Sequence, residues 1–172
     1  MVASIQYFRY NNCVAYFSDA KNLNRLVCIP TFVAAKNKVN GKRVTVAESL
    51  KYFLYKAEDF TQVKEIQEKL TSEAKKEKRS PYPLVAVIQK DFCHNVDGKY
   101  LVFGENLYSF EDLSLLNVME VAFHFYIALD LPFPPQSRVT WNLLQQGFFK
   151  IAKRPIDKIM SNLETILHDC KF

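Results

Sequence analysis

The sequence predicts an α+β fold, a small antiparallel sheet covered by about five helices, one of them long and nearly all-apolar. Two observations lead to this prediction. The run Leu84–Ile88 is apolar, β-branched and too short for a helix, which is typical of a buried strand. Residues 109–130 are apolar on almost every side, with most polar side chains confined to one narrow stripe. That pattern predicts a long helix that has to be buried.

The N-terminal residues 1–35 are rich in Tyr, Phe, Val and Ile, and they are predicted to be a strand-rich part of a single domain 1–172. Residues 5–10 and 13–17 are expected to pair as a hairpin around Asn11-Asn12, and residues 25–29 to add a third strand before Pro30. Residues 36–172 form the expected α+β core. That core opens with a basic, polar segment, residues 36–43, which is predicted to be an exposed loop.

Two helices are then predicted from their N-terminal signals. Thr45 and Glu48 have capping-box spacing, and apolar residues follow at helical intervals as far as Ala57. Asp59 and Gln62 make a similar start to a second helix, which is predicted to end in the charged run 75–79 before two prolines.

The rest of the chain alternates clear signals for strands and helices. An Asp-Gly turn in residues 95–99 predicts a partner strand at 100–103, and residues 106–110 predict another short strand. Ser109 is the expected cap of the long helix. A proline-rich loop at 131–138 is followed by a predicted helix at 138–151, and Pro155 is placed to begin a fifth.

Composition excludes several classes of function. The four glycines are far apart, so the phosphate-binding, dinucleotide-binding and nucleophile-elbow motifs that need neighbouring glycines are absent. The four cysteines match no zinc framework, and Cys28 and Cys170 are expected to fill core volume. No cofactor, metal or small-molecule ligand is indicated. The net charge of +5 is mildly basic and permits nucleic acid or an acidic partner.

No membrane segment or signal peptide is expected. Acidic residues interrupt the apolar run at 109–130, and the N-terminus has no basic region leading into an apolar one. The expected location is intracellular, nuclear or cytoplasmic, with the nucleus slightly favoured.

Four segments together carry a resemblance to a known group of proteins: VNGKRVTVAESLKYFL, SPYPLVAVIQ, VAFHFYIALDLPFP and WNLLQQGFFKI. Their order, hydrophobic pattern and aromatic positions resemble the C-terminal region of uncharacterised animal proteins often associated with transposable elements or with host genes derived from them. The resemblance runs from about residue 38 to residue 167. It implies a non-enzymatic, nuclear module attached to some other activity, and it carries over no catalytic residues.

Chemically active residues are few. Glu120 and His124 are one helical turn apart and suggest an acid–base pair or half a metal site, although a polar stripe on a buried helix is the favoured interpretation. Cys93 and His94 are adjacent on a predicted strand, so their side chains point to opposite faces and cannot act together. A catalytic pair would need a distant partner such as His168, and no pattern in the sequence points to one. We therefore expect no catalytic residues.

Three classes of function follow, and a non-enzymatic protein-interaction or oligomerisation module is preferred, with a protein partner or a second copy. Its predicted contact residues are Phe123, Tyr126, Ile127 and Phe133, together with the final helix. The alternative is a nucleic-acid-binding domain that uses aromatic side chains and basic clusters. An enzyme is the third class. The basic clusters comprise Lys36, Lys38, Lys42 and Arg43; Lys75, Lys76, Lys78 and Arg79; and Lys150, Lys153, Arg154 and Lys158.

Overall fold

A computed structural model describes residues 26–31, 33, 37–89 and 96–147. Their helices are α1 (residues 26–31 and 33), α2 (Val46–Lys51), α3 (Phe60–Lys76), α4 (Leu115–Ala128) and α5 (Arg138–Gly147). Their strands are β1 (Lys38–Val39), β2 (Lys42–Arg43), β3 (Leu54–Ala57), β4 (Leu84–Ile88), β5 (Gly98–Phe103) and β6 (Asn106–Ser109). The α+β class is confirmed. Among the residues described, no helix has the length and apolar character needed to cross a membrane.

The larger sheet has the strand order β3-β4-β5-β6. β3 runs parallel to β4, and the other neighbours are antiparallel, so the prediction of a purely antiparallel sheet is wrong. The parallel pair arises because α3 connects β3 to β4 as a crossover. The sequence prediction had extended the helix of Val46 to Ala57. Leu54–Ala57 instead leaves that helix and pairs its backbone with β4, a long-range contact that local periodicity does not reveal.

Helices cover both faces of this sheet. All five residues of β4 are buried, which explains why this strand is continuously apolar instead of alternating. Val85, Val87 and Leu101 pack with α1, α4 and α5 on one face. Leu84, Ala86, Ile88 and Val102 pack with α3 on the other, where α3 supplies the predicted apolar side chains of Val63, Ile66, Leu70 and Ala74.

The segment before Pro30 is helical, so the strand predicted at residues 25–29 is wrong for its described part. Leu26, Ile29 and Val33 are all buried, and their spacing of three and four residues places them on one face of a helix. Cys28 points to the other side and is exposed, which corrects the prediction that its thiol fills the core.

The basic loop predicted at residues 36–43 contains a small second sheet, in which β1 pairs with β2. Asn40 and Gly41 form the two-residue turn with φ of 51° and 77°. Both angles lie in the left-handed region that this kind of hairpin turn requires. The ribbon places Lys38 directly opposite Arg43.

The long all-apolar helix is not confirmed. Its cap is Ser114, whose side chain accepts a hydrogen bond from the Asn117 N–H, and α4 has 14 residues. Ser109 instead ends β6, since the Phe110 N–H still donates to Lys99 in the neighbouring strand. Glu120, His124 and other residues on the outer side of α4 are exposed, so this helix buries one side only.

The other sequence predictions divide between confirmed and untested ones. The α3, β4 and β6 predictions are confirmed in position, and β5 begins at Gly98, inside the predicted turn. The predicted helix at 138–151 is confirmed over Arg138–Gly147, and its residues 148–151 lie outside the described residues. The hairpin at residues 5–17, the fifth helix after Pro155 and the cysteines Cys13, Cys93 and Cys170 lie outside the described residues.

One buried hydrogen bond ties α4 to the start of β4. The Tyr126 hydroxyl donates to the Pro83 carbonyl oxygen at 2.7 Å, and its ring lies 5.1 Å from that of Trp141. Burial raises the pKa of Tyr126 well above its ordinary value. The hydroxyl therefore keeps its proton and remains a donor in the folded chain.

We expect Tyr126→Phe to lower the free energy of unfolding by about 1–2 kcal/mol, because the buried Pro83 carbonyl loses its donor. Urea unfolding measures the change. Tyr108→Phe, at an exposed tyrosine, is the control and should have little effect. The pH dependence of stability is a second readout, because the pKa of Tyr126 is raised in the folded chain. The stabilisation that this group provides is present below the ordinary tyrosine pKa of about 10 and falls as the pH rises above it. This fall in stability at high pH should be smaller in Tyr126→Phe than in the wild type. An equal loss of unfolding free energy in Tyr126→Phe and Tyr108→Phe would contradict the hydrogen bond between Tyr126 and Pro83.

Candidate functional site

The strand β6 lies at one side of the larger sheet and, within the described residues, pairs on one side only, with β5. A two-residue turn, Gly104-Glu105, joins the two strands, and Phe103 faces Asn106 across it. The pair next to the turn of such a hairpin, here Phe103 and Asn106, is hydrogen-bonded through its backbone. Along two antiparallel strands, hydrogen-bonded pairs alternate with pairs that are not hydrogen-bonded to each other. Residues 106 and 108 therefore bond to β5, while Leu107 and Ser109 direct their N–H and C=O groups to the open side.

Apart from its shortness, β6 has within its own four residues none of the features that usually protect an edge strand. β6 has the sequence NLYS, with no charge and no proline, and its register with β5 is uninterrupted by a bulge. Three of its four residues are exposed, and the exposed fraction of Tyr108 is 41%. Among the described residues, none pairs with the outward backbone groups of Leu107 and Ser109.

A group of aromatic side chains lies beside the edge on the α4 side of the sheet. Phe125 of α4 contacts both strands: its ring centroid is 5.6 Å from that of Phe103 and 5.9 Å from that of Tyr108. These three residues, here called the aromatic cluster, are partly exposed or exposed. Leu129, one helical turn beyond Phe125, has an exposed fraction of 50% and extends the apolar surface.

The hairpin that carries the edge is fixed to α3. The Gly104 carbonyl oxygen accepts hydrogen bonds from Thr71 Oγ1 at 2.9 Å and Gln67 Nε2 at 3.2 Å. Gly104 has φ +59°, and a Cβ atom there would lie 3.2 Å from Cγ of Pro81. The left-handed φ favours glycine here, and a Cβ atom would also make a tight contact with the Pro81 ring.

The four predicted partner-binding residues do not share one surface. Phe123 and Tyr126 are fully buried, and Phe133 is partly buried, with its ring stacked 5.8 Å from that of Trp141. Only Ile127 is exposed. Phe103, Tyr108 and Phe125 are not among the contact residues predicted from the sequence. The available signal was the Gly-Glu turn at 104–105, whose hairpin register places Phe103 and Tyr108 on one face.

Charge is unevenly distributed around this surface. Between Lys99 and Arg138 the chain has five acidic residues and no Lys or Arg, in a protein of net charge +5. All five acids are exposed. Glu105 forms a 2.8 Å ion pair with Lys75, and this bond lowers the pKa of the Glu105 carboxyl. Within the described residues the other four, Glu111, Asp112, Glu120 and Asp130, form no ion pair.

The basic residues differ in how they are engaged. At the end of α3, Lys75 pairs with Glu105, and Arg79 pairs with Glu77 while its guanidinium lies 4.1 Å from the Tyr82 ring centroid. On the β1–β2 ribbon, Lys38, Lys42 and Arg43 are exposed and have no acidic partner among the residues described. Lys36 and the cluster at 150–158 lie outside those residues.

The residues considered for catalysis are not assembled into a site in the described part of the chain. Glu120 and His124 both lie on the exposed side of α4. Cys93, His94 and His168 are outside the described residues. In the ranges that are described, no three His, Cys, Asp or Glu side chains come together as metal ligands would.

A buried polar region surrounds the start of α5. Asn37 Nδ2 donates to the carbonyl oxygens of Pro135 and Gln136 at 2.7 and 2.9 Å. Nearby, Trp141 Nε1 and Gln145 Nε2 are buried donors without a hydrogen-bond partner in the described structure. They are one turn apart on α5. Each such donor costs stability, because it has lost water and gained no acceptor.

We expect Gln145→Met to raise the free energy of unfolding by about 1 kcal/mol, because it replaces an unpaired buried amide with an apolar side chain of similar length. The matched control is Gln67→Met on α3, which removes a hydrogen bond to Gly104 and should lower stability by about 1 kcal/mol. Urea unfolding compares the two. A loss in Gln145→Met as large as in the control would show that the Gln145 amide has an acceptor.

No family model matches the sequence, and neither a curated protein nor a solved structure matches it. The resemblance to transposon-associated animal proteins therefore stays a prediction. The features that bear on function are the open β6 edge, the aromatic cluster and the distribution of charge.

Proposed function

We propose that this chain is a non-enzymatic protein-interaction module that binds an extended segment of a partner at the β6 edge. The observation that carries the proposal is that the outer side of β6 has no paired strand among the described residues and lies beside the exposed part of the aromatic cluster. The intracellular, preferentially nuclear location expected from the sequence belongs to the same proposal. Ile127, the exposed member of the predicted contact residues, lies two residues from Phe125 and therefore on a different side of α4 from the aromatic cluster.

Strand addition explains how this edge would bind. Main-chain hydrogen bonds to Leu107 and Ser109 supply affinity that does not depend on the partner's sequence. Side chains at alternate positions of the added strand then meet the aromatic cluster, because alternate residues of a strand share one face. Burial of the exposed parts of Tyr108 and Phe125 adds a hydrophobic contribution.

Solution mass distinguishes a second copy from a different partner. Light scattering on a sizing column, at low and high salt, gives the mass of the chain alone. A dimer that survives high salt and is dissociated by Ser109→Pro would make the edge an oligomerisation surface, since apolar contacts and backbone hydrogen bonds are less sensitive to salt than ion pairs. A monomer would direct the search to another protein.

We expect Ser109→Pro to abolish partner binding and Ser109→Ala to preserve it. Proline removes the outward N–H without disturbing a bond to β5, whereas alanine keeps that N–H. Immobilised wild-type chain and both variants are compared by quantitative mass spectrometry of the proteins they retain from a cell extract. Thermal unfolding confirms that the variants are folded. The proposal predicts proteins retained by Ser109→Ala and lost by Ser109→Pro; identical sets would contradict it.

The second candidate is nucleic-acid binding by the β1–β2 ribbon. Lys38 faces Arg43 across the ribbon, and like charges in directly opposite positions are destabilising. With Lys42 they form an exposed group that no described acidic side chain neutralises. Phosphate groups would relieve that repulsion, which is the specific observation in favour of this alternative.

If the ribbon binds nucleic acid, replacing Lys38, Lys42 and Arg43 with Ala should weaken binding of a DNA duplex. The slope of log affinity against log salt should fall by about 0.9 for each phosphate group that the variant no longer neutralises. Replacing the exposed Lys64 with Glu and Lys69 with Ala on α3 lowers the net charge by the same amount and is the control for net charge. Fluorescence anisotropy at several salt concentrations measures both variants. No duplex binding, or equal losses in the two variants, would remove this candidate.

A further inference from the structure

We infer that the β6 edge binds an extended segment in which Lys or Arg alternates with apolar residues, supplied by another protein and not by a second copy of this chain. The inference rests on the proposed function, and it adds the chemistry of the partner. Three features support it: the charges at the two ends of the edge, the repulsion that self-pairing would create, and the aromatic cluster.

Acidic side chains stand at both ends of β6. Glu105 immediately precedes the strand, and Glu111 and Asp112 follow it after Phe110. Glu105 is shared with Lys75, but Glu111 and Asp112 have no ion pair within the described residues. Lys99 lies next to Phe110 in the paired strand and Lys75 pairs with Glu105, so the acidic side chains at this edge that have no described ion pair are Glu111 and Asp112. A basic segment complements this edge electrostatically.

The same charges disfavour a second copy in the register that pairs both outward residues of one β6 strand with both outward residues of the other. In that antiparallel register, Leu107 of each copy lies opposite Ser109 of the other. This register continues to Glu105 opposite Glu111, and the two-fold axis repeats the like-charge pair. A basic segment in the same position replaces both repulsions with attractions.

The aromatic cluster suits a partner segment in which Lys or Arg alternates with apolar residues. In an added strand, every second side chain lies on the α4 side of the sheet, over Tyr108 and beside Phe125. Lys and Arg pack their cations on aromatic faces and their methylene stems on apolar surface. The chain already makes such contacts elsewhere: Arg79 lies over Tyr82, and Lys64 Nζ is 5.2 Å from the Phe60 ring centroid.

Three short blocked peptides test the inference, with Val alternating with Lys, with Glu or with Gln. Their affinities for the full chain are measured by isothermal titration calorimetry at low and moderate salt. The Lys peptide should bind about tenfold more tightly than the Glu peptide, as expected from a few exposed ion pairs acting together. Salt should reduce this difference. Ser109→Ala should bind as the wild type does, and Ser109→Pro should not bind.

The double variant Glu111→Gln with Asp112→Gln should reduce the preference for the Lys peptide severalfold while leaving affinity for the Gln peptide unchanged. Equal affinity for all three peptides, lost in Ser109→Pro, would overturn the basic partner and keep the edge as an interaction surface. A salt-resistant dimer dissociated by Ser109→Pro would overturn the choice of occupant. Ser109→Pro and Ser109→Ala behaving alike toward every peptide would overturn both the inference and the proposed function.

Discussion

Burial of β4 on both faces is the constraint on which the rest of the fold depends. All five side chains of the strand LVAVI are apolar, so both faces of the strand are buried, and helices cover each of them. α3 meets this need on one face while it connects β3 to β4, and this dual role is why β3 is parallel. α1, α4 and α5 cover the opposite face. Burial then decreases along the sheet through β5 to β6, and the open edge is the result.

A set of aromatic contacts and buried polar bonds fixes the helices over that sheet. Trp141 packs against Phe53 and Tyr126 with ring centroids 5.2 and 5.1 Å away, which joins α5 to α4 and to the segment before β3. The Ser137 hydroxyl donates to the Tyr52 carbonyl oxygen at 3.0 Å, which connects the start of α5 to the segment before β3. Nonspecific apolar burial permits several arrangements, whereas directional bonds of this kind favour one of them.

Capping signals in the sequence correctly predicted where a helix begins. Asp59 does cap α3, and its side chain accepts from the Gln62 N–H as the spacing indicated. Long-range contacts decided the rest. Leu54 and Ala57 fit a helical period equally well, and only pairing with β4 makes them a strand. Phe123 and Phe125 are both aromatic residues of α4, yet the first is fully buried and the second partly exposed. Sequence cannot tell them apart without the position of the sheet, and the same holds for the open edge.

The anchoring of Gly104 to α3 has a consequence for molecular recognition. An extended chain that docks on a loose hairpin must first immobilise it, which costs conformational entropy and lowers affinity. Here the hydrogen bonds from Gln67 and Thr71 have already restricted the β5–β6 turn as part of folding. If β6 receives a partner segment as proposed, the β5–β6 turn is preorganised, and the ordering cost of association falls mainly on the incoming segment. An edge of this kind can bind a short, weakly structured sequence, and its selectivity derives from shape and charge already in place before encounter.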